Sequence, residues 1–281
     1  MDIILAGTAS RNNIPAFRCV CDVCTQTRES NDRKLKRKNS CAVVIGNKKE
    51  KIIIDTPPQF ISQLEQCGIS DTEIESILLT HGHGNHILGL FYAFSLRKSK
   101  ESVFKSNLNI YLGKDTLKSV VSIFKIPMKD EQPDMEDDII KLNTIEAHNE
   151  FRIGDIAITA LKTSSPNNLP NSKESFGYCL TERGKSFYYF AAAAKKIPDE
   201  TVFFMRRRKP DCIVIDCTYE KTDEMSNHGD IESVINLRNM FHDVRIIASH
   251  IDHSNLPAVK LSEIFDNEGI EIGHDGLKIQ L

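Results

Sequence analysis

The chain has 281 residues, 40% of them hydrophobic and 27% charged, with a formal net charge of −3. That length buries a substantial core, and the charge balance excludes the global basic field that favours nucleic acid. No run approaches the roughly 18 apolar residues of a membrane-spanning helix. The start, Met1-Asp-Ile-Ile-Leu-Ala-Gly7, has neither the basic nor the apolar region of a secretory signal. Eight cysteines in such a chain point to a reducing compartment, with thiols free or on metal, and so to a cytoplasmic protein.

Asp2–Ala6 reads as a first strand closed by Gly7-Thr8-Ala9-Ser10. Cys19-Val-Cys21-Asp-Val-Cys24 follows, three thiols within one short loop. Such a loop chelates zinc when a fourth ligand joins it; the alternatives are a disulfide with a spare thiol, or three unrelated thiols. The stretch Asn31–Asn39 is strongly basic and reads as a solvated loop, with a phosphate-steering patch as the sharper alternative. Cys41–Ile45 and Lys51–Asp55 read as a hairpin around Gly46-Asn-Lys, and Asp55 ends its strand just before Thr-Pro-Pro. Phe60–Cys67 reads as a helix capped by Gly68.

Ser76–Leu79 is a strand feeding the segment Thr80-His-Gly-His-Gly-Asn-His86. A strand, a histidine-bearing turn and a helix over Ile87–Arg97 present several imidazoles at one point in space. Further on, Leu108–Leu112 reads as a strand and Thr116–Phe124 as a helix. Lys129–Asp138 reads as an acidic surface loop. Ile139–Leu142, Phe151–Ile153 and Ile156–Leu161 read as strands. Thr163–Ser175 is a polar loop without histidine. Phe176–Leu180 and Phe187–Phe190 form a hairpin around Glu182-Arg-Gly184, with Ala191–Ala194 at its end.

Pro198–Arg206 reads as a helix opened by proline, and Arg206–Lys209 suits that helix's C-terminus. Cys212–Ile215 is a buried-type strand ending at Asp216. Asn227-His228-Gly-Asp230 opens a helix to Phe241, with Asn227 as the N-cap candidate. Arg245–Ala248 is a strand ending in Ser249-His250-Ile-Asp-His253, Pro257–Phe265 is helical, and Leu277–Leu281 closes the chain as a strand. Strands and helices alternate with no linker, so residues 1–281 read as one α/β domain. Its polar and histidine-rich segments fall at strand ends, where open α/β sites are built.

These motifs, in this order, resemble the phosphonate-pathway cyclic-phosphate phosphodiesterase branch of the metallo-β-lactamase superfamily. The likeness rests on Gly7-Thr8, Cys-x-Cys-x-x-Cys, Ile54-Asp55-Thr-Pro, the Thr80-His turn, Phe176-Gly-Tyr178, Asp216-Cys217, Asn227-His-Gly-Asp230 and Ser249-His-Ile-Asp-His253. It implies an αββα sandwich with the metals at one edge. It also implies one structural zinc on Cys19, Cys21, Cys24 and His253. Four histidines of the family's dinuclear centre map to His81, His83, His86 and His250. Asp55, read on its own residues, is placed to orient a histidine from behind, the alternative being an unremarkable strand-end aspartate. His228 matches the histidine that acts as general acid on the leaving group; a helix-start role is the plainer alternative.

Three positions of the dinuclear centre depart from the family. Asn85 stands where the family has aspartate, Asn171 where it has its fifth histidine, and Ala193 where it has the bridging aspartate. Two divalent ions about 3.5–4 Å apart repel by on the order of 15–20 kcal/mol at an effective dielectric near 20. Carboxylates in contact with the ions offset that repulsion, and here both are missing. The expectation is a zinc-binding protein of phosphodiesterase ancestry, its structural zinc kept and its dinuclear centre degraded. It would bind a ligand or partner, for instance a small phosphorylated molecule, and at most a weak second zinc or manganese. The other reading is an active metal-dependent phosphodiesterase with a mononuclear or rearranged centre. Neither nucleic acid nor membrane is expected as a partner.

Overall fold

The computed structural model describes residues 1–70, 74–97, 108–129, 132–133, 140–163, 174–223 and 226–281. Two seven-stranded sheets dominate it. The first runs, edge to edge, through Leu277–Gln280, Asp2–Gly7, Cys41–Ile45, Lys51–Ile54, Ser76–Leu78, Leu108–Leu112 and Ile140–Thr144. The second runs through Glu150–Ile153, Ile156–Lys162, Phe176–Glu182, Lys185–Phe190, Cys212–Asp216, Arg245–Ser249 and Glu271–Ile272. Taken in these directions, both begin with antiparallel pairs and finish with parallel ones. The C-terminal strand thus does for the first sheet what Glu150–Ile153 does for the second.

Strand periodicity decides which side chains face which layer. Ile52, Ile54, Val214 and Ile247 point between the sheets and meet Tyr178, Leu180, Phe187 and Tyr189 in a shared core. Ile53 and Ile77 point outward onto helices Phe60–Cys67 and Lys114–Phe124 through Phe60, Leu64 and Val120. Ile213 and Ile215 point outward onto helices Asp199–Arg208, Ile231–Met240 and Ala258–Glu268 through Met205, Val234, Leu237 and Phe265. The layers are therefore helix, sheet, sheet, helix, as the αββα expectation states. Among the described residues no helix is long and apolar enough to cross a membrane.

Several local expectations change. The helix expected over Ile87–Arg97 is two helices, Gly84–Ile87 and Leu90–Arg97. They part at Gly89, where a Cβ would lie 2.4 Å from the Pro57 carbonyl oxygen, and the Gly89 N–H binds the Thr56 oxygen at 2.8 Å. Only glycine allows that approach. The N-cap of Ile231–Met240 is Asp230, not Asn227: its carboxylate accepts from Ser233 N while Ser233 Oγ accepts from Asp230 N, a reciprocal cap.

The basic segment 31–39 is not simply solvated either. Arg37 is buried; its guanidinium donates to Thr8 Oγ1 at 2.8 Å and to the Gly273 carbonyl, and Thr8 Oγ1 donates to Asp275 at 2.7 Å. This ties the N-terminal loop to the chain's last turn. The cysteine loop continues as a helix, Asp22–Glu29. The loop expected at 129–138 contains a short strand, Gln132–Pro133, paired with Met128–Lys129; residues 130–131 and 134–138 lie outside the described residues.

Candidate functional site

The cleft lies where strands of both sheets end. Lys51–Ile54 ends at Asp55, Ser76–Leu78 leads to Thr80 and His81, Cys212–Asp216 ends in a carboxylate, and Arg245–Ser249 leads to His250. Asp55 and His250 both adopt positive φ, 65° and 57°. A non-glycine residue is costly there, so the surrounding bonds must over-determine both side chains.

Two matching relays do this. On the first sheet, Asp55 is buried and accepts from Thr80 N at 2.8 Å, from Thr80 Oγ1 at 2.9 Å and from His86 Nδ1 at 2.7 Å. The Thr80 hydroxyl has one hydrogen, given to Asp55, so it accepts from His81 Nδ1 at 3.0 Å. His81 Nε2 is then an acceptor and takes the His83 Nδ1 hydrogen at 2.8 Å. On the second sheet, Thr218 Oγ1 donates to Asp216 at 2.6 Å and accepts from His250 Nδ1 at 2.8 Å. Both relays leave an imidazole Nε2 lone pair free: among the described residues His86 Nε2 and His250 Nε2 are buried and have no hydrogen-bond partner.

The five imidazoles form a row. His83 and His81 centroids are 4.5 Å apart, His81 and His86 4.2 Å, His86 and His250 5.4 Å, and His250 and His228 5.2 Å. Burial holds His81 and His86 well below the ordinary imidazole range, helped by His86 beside His81 and by His250 beside His86, and burial pushes His83 down to about 4. Burial raises the Asp55 carboxyl while Thr80 pulls the other way.

Asp216 behaves oppositely. Burial alone would raise it, but His228 and His250 override that and hold it far below the carboxylate range. Burial likewise disfavours the His228 cation, and the Asp216 charge and hydrogen bond at 3.1 Å more than offset this, raising its pKa. The lowered Asp216 adds stability above the ordinary carboxylate pKa, lost as pH falls through its folded value. The raised His228 adds stability below the ordinary imidazole pKa, lost as pH rises through its folded value. Asp216→Asn is therefore expected to cost about 3–5 kcal/mol where both groups are charged, and to return the His228 titration, read by NMR, toward its ordinary value. An unchanged His228 titration contradicts the pairing.

Residue by residue, the expected site residues fare differently. His81, His83, His86, His250 and His228 come together with Asp55 behind them. Asn85 lies on the short helix Gly84–Ile87 and is half-buried. Ala193 is buried at the end of strand Lys185–Phe190 with φ 40°. Asn171 lies outside the described residues. Sequence reasoning missed Thr80, Asp216 and Thr218, which set the histidine tautomers. A hydroxyl one residue before His81 and a strand-end Asp-x-Thr were the available signals.

Among the described residues, the two carboxylates behind the imidazole row are already engaged. Asp216 already accepts from Thr218 N, Thr218 Oγ1, Ala194 N, His228 Nδ1 and Gly229 N, and Asp55 faces Thr80 and His86. Asp216, His228 and His250 do place one ligand atom each within 4.8 Å of one another, but Asp216's lone pairs are committed.

The other convergent group is Cys19, Cys21, Cys24 and His253, its four ligand atoms also within 4.8 Å of one another. His253 Nδ1 lies 3.4 Å from Cys19 Sγ and 3.6 Å from Cys21 Sγ. Tetrahedral zinc bonds place nitrogen and sulfur ligands about 3.6 Å apart, so the donor set fits the ion. All eight cysteines are free thiols. The Ala16 N–H donates to Cys24 Sγ at 3.2 Å, and Arg28 binds the Ala16 carbonyl at 2.6 Å, so the loop is braced from two sides.

Fold and site together define a metallo-β-lactamase-type protein. The family described as "Beta-lactamase superfamily domain" matches residues 50–251, and the chain belongs to this superfamily. Among solved structures, a diphosphatase of the PhnP family superposes with a TM-score of 0.79 at 22% identity, covering 99% of this chain and 96% of that one. Zn²⁺-bound PqqB from Methylobacterium extorquens superposes with a TM-score of 0.79 at 19% identity, covering 100% of both. An octanoyltransferase of Porphyromonas gingivalis is 26% identical over 162 residues, 58% of this chain. The match spans 30% of that protein's own length, and matches to two coenzyme PQQ synthesis proteins B span 32% and 38% of theirs, while that of Methylococcus capsulatus is 22% identical over the whole of both chains.

Proposed function

We propose that this chain is a zinc-stabilised binding protein of the superfamily, whose cleft takes a small phosphorylated molecule without a paired-metal centre. The observation that carries this reading is the state of the carboxylates. Asp55 and Asp216 are both buried and spent on holding histidines, while Asn85 and Ala193 offer no negative charge. A cleft of imidazoles, none of which carries negative charge, does not offset the repulsion between two divalent ions. Cys19, Cys21, Cys24 and His253 would hold one zinc, which would brace the N-terminal loop against the His250–His253 turn. In the cleft, Asp216 holds the His228 proton at Nδ1, and the threonine relays hold the tautomers of His81 and His250.

A second reading, a hydrolase with one cleft metal, draws on the orphaned Nε2 atoms of His86 and His250. A bound metal would supply a Lewis acid and an activated water. The two readings separate on hydrolysis of a generic phosphodiester with added zinc or manganese. The binding reading expects no turnover above that of His250→Ala. Turnover that survives repurification and disappears in His250→Ala supports the hydrolase instead.

A further inference from the structure

We propose that the cleft recognises a hydroxylated oxyanion directly, its anionic end on Arg11 and its hydroxyl hydrogens on the Nε2 atoms of His86 and His250. This rests on the reading that the cleft works without paired metals. The argument begins with the tautomers. Asp55 takes the His86 Nδ1 hydrogen at 2.7 Å, and Thr218 takes that of His250 at 2.8 Å. Each Nε2 is therefore an acceptor, and both are buried without a partner among the described residues.

A buried acceptor left unsatisfied costs about 1–3 kcal/mol. A ligand that packs against it must bring a hydrogen-bond donor of its own or lose affinity. The two rings are nearly parallel, at 24°, with centroids 5.4 Å apart, so both acceptors belong to one small space.

The anionic end follows from the loop beside it. Ser10 N binds the Ile251 carbonyl at 3.0 Å and Ile251 N binds the Thr8 carbonyl at 2.9 Å, which lays this loop along the residue after His250. Asn39 Nδ2 holds the Ser10 and Arg11 carbonyls at 2.5 and 3.0 Å. Arg11, the next residue along this loop, is exposed. A guanidinium is always charged and binds carboxylate or phosphate through paired N–H groups. The shared chemistry is thus an oxyanion with neighbouring hydroxyls, the anion being either of these.

The test is calorimetric titration of the zinc-loaded protein at constant ionic strength. Glycerol 3-phosphate and glycerate are compared with propyl phosphate and propionate, which lack the hydroxyls. The hydroxylated member of at least one pair is expected to bind about tenfold or more tightly, and which pair does so identifies the anion. Arg11→Gln, at an exposed position, is expected to weaken that binding by about tenfold. Equal affinity within both pairs, no binding at all, or an unaffected Arg11→Gln variant overturns the inference. If instead the cleft takes up zinc that His250→Ala abolishes, the underlying metal-free reading fails too, and the metal count tells that failure from the first.

Discussion

Cys24→Ser is expected to abolish the zinc binding proposed for the cysteine loop and to cost the chain several kcal/mol of stability. Cys24 is fully buried, receives the Ala16 N–H, and has its sulfur within 4.8 Å of the ligand atoms of Cys19, Cys21 and His253. A serine hydroxyl is a poor zinc ligand, and three ligands do not hold a structural ion as four do. What is lost is the tie between residues 16–24 and the turn after strand Arg245–Ser249, not the core between the sheets. The expected cost is therefore well below the roughly 10–16 kcal/mol by which zinc binding drives the folding of isolated zinc fingers. A midpoint lowered by roughly 10 °C is in proportion for a chain of this size. Metal analysis should fall from about one zinc per chain toward none, and limited proteolysis should cut first between Arg11 and Glu29. Unchanged zinc content and melting would show that the three thiols have no common ion.

The second large effect runs the other way. Asn85→Asp, Ala193→Asp and Asn171→His, made together, are expected to add about two divalent ions per chain and to bring phosphodiester hydrolysis with them. The imidazole row and both relays already stand in place, so what the variant adds is charge and the absent nitrogen. Aspartate is among the residues that tolerate positive φ, and Ala193 has φ 40°. Without metal the same variant is expected to be less stable than the parent, because Ala193 is 1% exposed and an unpaired carboxylate there is costly. Metal analysis, melting with and without chelator, and a phosphodiester assay check the three parts. A variant that takes up no further metal would place the defect in the spacing of the histidines, not in the charge.

Much of this was legible in the chain itself. The strand ending at Asp55, the Gly68 cap and the Thr80-His turn are local signals, carried by period, glycine and residue order, and the structure keeps all three. What was not legible is long-range. Nothing near Arg37 announces that Gly273 and Thr8 will surround it, 236 and 29 residues away in sequence. Gly89 splits a helix because Pro57 passes beneath it, which a helical pattern over Ile87–Arg97 cannot reveal. Asp216 was legible as a strand end within a family motif, but not its role, which appears only when Thr218, His228 and His250 close around it. The site residues that were found are the ones whose spacing is short, and the ones missed are those that hold them from behind.

The central claim is that a cleft with its carboxylates turned inward does not hold paired cations, while the cysteine-rich knot beside it grips its own. Metal analysis of the protein purified without added metal, repeated on His81→Ala, tests this most directly. The account predicts about one zinc per chain in both. About three metals per chain in the parent, falling toward one in His81→Ala, would contradict it.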